Sequence, residues 1–265
     1  MYVCDITTQH PTPVLIHSID NTQWLNNSIG SYNGVTYVAF EDKNDQKCDI
    51  KLYNCDTGIT KTVTSSEYIE RHPVLQNEFL VYRLVPSLDS TSSDDSDYRW
   101  GGEVMLYEIS ANPPQPPISI YSCDSQPGKC EVHIGCNPCS DDKIVMASLS
   151  MSTDKNKPPE VLWDILVYDV SESSIETVHS ASSSDGDSLL IACYTSGNDH
   201  LIYRLKNNKH YYLYLYDYNT KTNVQVAEPE HGMGLWRMSL DGQKGYFIGY
   251  PDHNDFNVLY KFDIN

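Results

Sequence analysis

Apolar and polar residues alternate along this chain in short runs with the two-residue period of β-strands. One phrase recurs, an apolar alternation ending in Tyr and followed by an acidic or polar residue. It reads Asp49-Ile50-Lys51-Leu52-Tyr53-Asn54 and then Glu103-Val104-Met105-Leu106-Tyr107-Glu108. It returns as Asp164-Ile165-Leu166-Val167-Tyr168-Asp169 and Tyr212-Leu213-Tyr214-Leu215-Tyr216-Asp217. A looser copy is Leu259-Tyr260-Lys261-Phe262-Asp263, and a degenerate one is Tyr2-Val3-Cys4-Asp5. The tyrosines at 53, 107, 168 and 216 are 54, 61 and 48 residues apart, the interval of one propeller blade per repeat.

Each repeat reads as up to four strands. The nearly continuous apolar run Val35 to Phe40, entered through Asn33-Gly34, suits a strand covered on both faces behind a tight hairpin. Cys48 to Asn54 and Thr60 to Thr64 follow it as the next two strands. The same grammar predicts repeats over residues 25–65, 69–122, 131–179, 188–227 and 232–263, within one domain spanning 1–265. Ser87 to Gly102, rich in Ser and Asp, reads as a long loop, as does the Pro-rich stretch around Lys155 to Pro159. The last repeat has only three strands. Residues 1–18 supply two strand-like pieces, Tyr2 to Ile6 and Val14 to Ser18. The fold class expected is therefore all-β, a β-propeller of four-stranded antiparallel blades in which Val14 to Ser18 completes the last blade and protects its edge. Five blades are expected, with six as the alternative if Tyr2 to Ile6 belongs to a further one.

Composition narrows the partners. The net charge of -18 argues against nucleic acid or an anionic membrane as the principal partner. No stretch approaches the ~20 apolar residues that span a bilayer. Met1 to Asp5 lacks the charged and apolar regions of a signal peptide and already resembles a blade end.

The hairpin Met238-Ser239-Leu240-Asp241-Gly242-Gln243-Lys244-Gly245-Tyr246-Phe247 resembles the Ser-x-Asp-Gly signature of TolB-like propeller repeats. Leu52-Tyr53-Asn54-Cys55-Asp56-Thr57-Gly58 is similar to the turn that follows later in those repeats. The same repeat type occurs in the propellers of prolyl oligopeptidase-like and tricorn-like peptidases. The resemblance implies a propeller that binds or scaffolds, and it carries over no catalytic residue. A TolB-like α/β domain, a hydrolase domain and a Gly-x-Ser-x-Gly elbow are all missing from the sequence, so the expectation is neither a Tol-type role nor peptidase chemistry.

Candidate chemistry falls in three places. Cys123, Cys130, Cys136 and Cys139 lie close together with His133 among them. They read as two disulfides in an oxidising compartment, as unpaired buried thiols, or as a zinc site with Cys136 to Cys139 as its hook. Four acidic segments offer oxygen ligands for calcium, Glu41 to Asp45, Asp94 to Asp97, Asp185 to Asp187 and Asp252 to Asp255. None has EF-hand spacing, and solvated turns, rich in Asp and Asn for backbone reasons, are the favoured account of them. No cofactor is expected beyond these Ca²⁺ or Zn²⁺ possibilities. Finally, Arg71, His72, His133, Trp236 and Arg237 fall on inner strands, at the mouth of the axial channel. A stacking aromatic beside cationic donors suits a sugar or an acidic peptide end. The competing reading packs Trp236 between blades and pairs the arginines with nearby acids. The repeated tyrosines read as packing between blades.

These residues point to a non-enzymatic protein- or glycan-binding or scaffolding propeller, extracellular, cell-surface or periplasmic. The alternative is a structural subunit of a surface layer or filament, self-assembled by strand exchange. A five-bladed glycoside hydrolase is the third reading. It requires two carboxylates facing one another, and only Glu70 and Glu131 lie on inner strands.

Overall fold

The computed structural model describes residues 1–5, 7, 11–18, 26–44, 47–64, 66–85, 101–111, 113–125, 129–134, 142–151, 160–182, 187–188, 194–196, 199–207, 210–227, 235–241, 244–249 and 258–263. Strands dominate them, and among the described residues there is no α-helix. Two short strands come first, β1 (Tyr2–Val3) and β2 (Val14–Leu15). The first meander is β3 (Asn27–Tyr32), β4 (Val35–Asn44), β5 (Lys47–Asn54) and β6 (Ile59–Thr62). The second is β7 (Ile69–Gln76), β8 (Phe79–Val85), β9 (Glu103–Glu108) and β10 (Ile118–Ser122). The third is β11 (Lys129–Ile134), β12 (Lys143–Met151), β13 (Val161–Asp169) and β14 (Ser174–Ser182). The fourth opens with a broken inner strand, β15 (Asp187–Ser188) and β16 (Tyr194–Ser196), both paired with β17 (His200–Asn207). It continues through β18 (His210–Asp217) and β19 (Thr222–Ala227). The last is β20 (Leu235–Asp241), β21 (Lys244–Gly249) and β22 (Val258–Asp263).

Within each meander successive strands pair antiparallel, and the first two meanders touch through one parallel bridge, Cys48 opposite Ile69. Turn chemistry explains the joints. Asn33 and Gly34 both have positive φ, 49° and 78°, as a two-residue hairpin between antiparallel strands requires.

The recurring phrase has a two-part cause. Its polar residue shapes the turn after the third strand. Asn54 Oδ1 accepts from the N–H groups of Asp56 and Thr57, and Asp217 Oδ1 from those of Asn219 and Thr220. Asp169 Oδ1 likewise accepts from the Glu172 N–H and the Ser171 hydroxyl. Such side-chain-to-backbone bonds are why Asn and Asp sit at this point. The Tyr of each phrase packs backward onto the preceding layer. Tyr107 joins Leu52 and Ile50 of the first meander, Tyr168 joins Val104 and Ile120 of the second, and Tyr216 joins Val167 and Val178 of the third. Its hydroxyl stays satisfied at the layer's outer side, where Lys61 Nζ donates to Tyr107 and Tyr216 donates to Glu176.

For the first meander that preceding layer is the N-terminal sheet. Tyr53 packs with Met1, Val3 and Ile16. The piece expected to complete the last repeat, Val14 to Ser18, pairs at Val14–Leu15 with Tyr2–Val3. Alternation marks a strand but not its partner, and here the apolar face of Val38, Phe40 and Tyr53 selects the β1–β2 pair as cover.

Candidate ligand site on the inner strands

The first strand of a propeller blade lines the central channel. In the second and third meanders these strands are β7 and β11, and each carries charge. Along β7, side chains alternate in direction, so Glu70 and Arg71 point to opposite faces. Glu70 turns into the first meander and is only 1% exposed. It accepts from the Ile50 N–H at 3.2 Å and the Ser66 hydroxyl at 2.9 Å. Burial, partly offset by those two bonds, pushes its carboxyl up to about 7.

Arg71 stands opposite Arg83 of β8, and the ladder shifts register between Arg71 and Val74. The shift is occupied by His72-Pro73. His72 holds a positive φ of 55°, a costly conformation for a non-glycine residue. Its N–H is drawn away from the ladder to Glu41 Oε1 at 2.8 Å. Glu41 also accepts from the Asn26 backbone N–H and side-chain amide. Burial lowers the His72 pKa, with Arg83, His133 and Arg71 adding to the effect and Glu41 opposing it. Burial thus favours the neutral imidazole of His72, which lies near the Arg71 and Arg83 guanidiniums and the Glu41 carboxylate.

On β11, Glu131 and His133 are two residues apart and share a face. His133 Nε2 lies 3.0 Å from Glu131 Oε1, and Arg83 Nη1 lies 3.8 Å from the same oxygen. Arg83 Nη2 donates to the Gly101 carbonyl at 3.2 Å. Glu131 and Arg83 are buried, while the His133 side chain is 45% exposed and forms the open side of the cluster.

The structure thus brings together Arg71, His72 and His133 and adds Arg83, Glu41 and Glu131. Trp236 and Arg237 lie in β20, of which only the backbone is described. Cys136 and Cys139 lie outside the described residues, as do Asp94 to Asp97, Asp252 to Asp255 and part of Asp185 to Asp187. Glu41 to Asp45 reads as a solvated acidic turn in sequence, yet Glu41 and Asp42 are buried in β4. The pairing of β4 with β5 carries them inward, where His72 and Asn26 satisfy Glu41, and Lys51 and His17 satisfy Asp42. Arg83 escapes the sequence reading because it sits in an apolar second strand. Its signal is that very placement, a guanidinium inside Leu80-Val81-Tyr82-Arg83-Leu84.

A groove of about 440 Å³ runs between the second and third meanders. Ile120, Tyr121, Ser148, Asp164, Leu166 and Thr177 line it. Among the described residues no group of three or more His, Cys, Asp or Glu side chains is arranged to hold a metal ion, and no helix is long and apolar enough to cross a membrane.

Layered antiparallel meanders of this kind are the architecture of a β-propeller. No family model and no curated protein matches the chain. Solved structures do. A prolyl endopeptidase aligns over 99% of this chain and 36% of its own, with TM-score 0.64 and 10% identity. The β-propeller domain of the Trilobed protease from Pyrococcus furiosus aligns over 86% of this chain and 63% of its own, with TM-score 0.55 and 14% identity. An oligogalacturonate lyase in complex with manganese aligns over 85% and 59%, with TM-score 0.54 and 14% identity. The chain spans less than two thirds of each of these proteins, and at these identities the likeness is one of fold.

Proposed function

We propose that this chain is a non-catalytic, exported or cell-surface binding propeller that takes a carboxylate-bearing ligand, an acidic sugar or an acidic peptide end, at the inner-strand cluster. One observation carries the reading. In a chain of net charge -18, Arg71 stands opposite Arg83 on the neighbouring strand, and Arg83 and His133 converge on one Glu131 oxygen. The two arginines and the two carboxylates of Glu41 and Glu131 balance formally, so a carboxylate is held here by short-range guanidinium and imidazole donors rather than by a net field. Arg71 and the half-exposed His133 are the groups placed to meet the ligand, with guanidinium geometry suited to a carboxylate. Glu131 and Glu41 hold the cluster in position. The two inner-strand acids have separate environments, Glu70 with the first meander's backbone and Glu131 with His133 and Arg83. That division favours binding over a paired-carboxylate hydrolysis.

Isothermal titration with a digalacturonate and with a peptide ending in Asp distinguishes the two ligand types. Saturable binding of one of them, weakened about tenfold or more by Arg71→Ala, is expected. Absence of saturable binding to both, or binding untouched by Arg71→Ala, refutes the assignment.

A further inference from the structure

We infer that Cys123 and Cys130 form a disulfide that pins the backbone node supporting the charged cluster. The two sulfurs lie 2.8 Å apart, within about 0.8 Å of a disulfide bond length, and both residues are buried. Cys123 follows directly on β10, in a short 3-10 turn over Cys123–Ser125, and Cys130 lies in β11. The bond therefore joins the fourth strand of one meander to the first strand of the next, across seven positions of chain.

What it fastens is specific. The Cys123 N–H donates to the Gly102 carbonyl, and the Gly101 N–H donates to the Cys130 carbonyl. Arg83 donates to the Gly101 carbonyl between them. Gly101 and Gly102 both have positive φ, and a Cβ on Gly102 would stand 2.4 Å from the Leu84 carbonyl oxygen. Four strands thus meet at one glycine pair, and the two cysteines close the ring around it. Glu131, the partner of Arg83 and His133, is the residue next to Cys130. A bond at this point fixes the distance between Arg83 and Glu131.

The groove between the second and third meanders is lined by Tyr121, whose hydroxyl is 3.8 Å from Cys130 Sγ. The contact with Cys123, then Tyr121 and Arg83, lower the Cys130 pKa against burial. With glutathione disulfide as oxidant, the Cys130 thiolate attacks one glutathione sulfur and expels the other glutathione as thiolate. The Cys123 thiolate then attacks Cys130 sulfur of the mixed disulfide and releases the second glutathione. Two protein thiols are oxidised, one glutathione disulfide is reduced to two thiols, and the two thiol protons pass to the departing glutathiones.

The test refolds the full chain from the reduced, denatured state in a glutathione redox buffer, blocks free thiols and maps tryptic peptides without reduction. Cleavage after Lys129 separates the cysteines, so the bond joins peptides 100–129 and 130–143. Fragmentation expected for the inference places the link at Cys123 and Cys130. The oxidised chain should also melt about 5–10 °C above the reduced one, a shift that Cys123→Ser and Cys130→Ser each remove. Both thiols blocked, or Cys123 joined to Cys136 or Cys139, overturns it. The map uses the unmodified chain, so the answer stands even if a serine variant fails to fold. Carboxylate binding can fail with the bond present, and the bond can be absent with binding intact, so this inference and the proposed function are separately refutable.

Discussion

Replacing Glu70 by Gln isolates the cost of burying one carboxylate between two meanders. The side chain is 1% exposed, and its carboxyl is pushed from an ordinary 4.5 up to about 7, chiefly by burial. Between those two values the folded protein keeps a proton that the unfolded chain has released. Stability must then fall as pH rises through this window, and the loss is complete above about pH 7. A carboxyl moved that far stands for roughly 3 kcal/mol at most. Gln preserves the shape and an acceptor for the Ile50 N–H and Ser66 hydroxyl but cannot ionise. At about pH 5 the native protein should therefore trail Glu70→Gln by less than about 1 kcal/mol. At about pH 8 the variant should be more stable by roughly 1–3 kcal/mol, a midpoint several degrees higher. Self-repulsion of a chain with net charge -18 also grows with pH, but it acts on both proteins and drops out of the difference. Thermal melts followed by circular dichroism from pH 5 to pH 8 supply the measurement. Two melting curves that run parallel across that range would show that the Glu70 carboxylate is not penalised by its surroundings.

The remaining predictions concern the joints of the fold. Gly102→Ala places a Cβ 2.4 Å from the Leu84 carbonyl at a φ of 99° and should cost more than about 3 kcal/mol. Gly34→Ala meets open space at a φ of 78° and should cost only about 1 kcal/mol, so urea midpoints that rank the two equally would contradict the node. Tyr216→Phe removes the 2.6 Å bond to Glu176 but leaves the ring packed between the third and fourth meanders. Its urea midpoint should fall by an amount worth about 1 kcal/mol, and a loss as large as that of Tyr216→Ala would mean that the hydroxyl, not the ring, is the essential part.

The cluster was only half visible beforehand, for a physical reason. Arg71, His72 and His133 stand out because charged residues on inner strands face a channel. Glu41 is invisible as their neighbour, because its link to the His72 N–H spans thirty-one positions and depends on the shift of register at His72-Pro73. Arg83 reads as a strand residue until β11 brings Glu131 to it.

Local chemistry alone determined the strands, their turns and the period. Alternation marks strands because side chains point to opposite faces by turns, and the Asn or Asp after Tyr53, Tyr168 and Tyr216 marks the turn because its side chain accepts from N–H groups two or three residues on. These effects act within a few residues and so are written in the chain. Tertiary structure alone decided which layer covers Tyr53, which acids go inside, and that Cys130 meets Cys123. Those outcomes depend on residues far apart in sequence meeting across a layer boundary. The N-terminal pair β1–β2 covers the first meander because an apolar face needs cover, and the strand pattern holds no record of which segment will supply it.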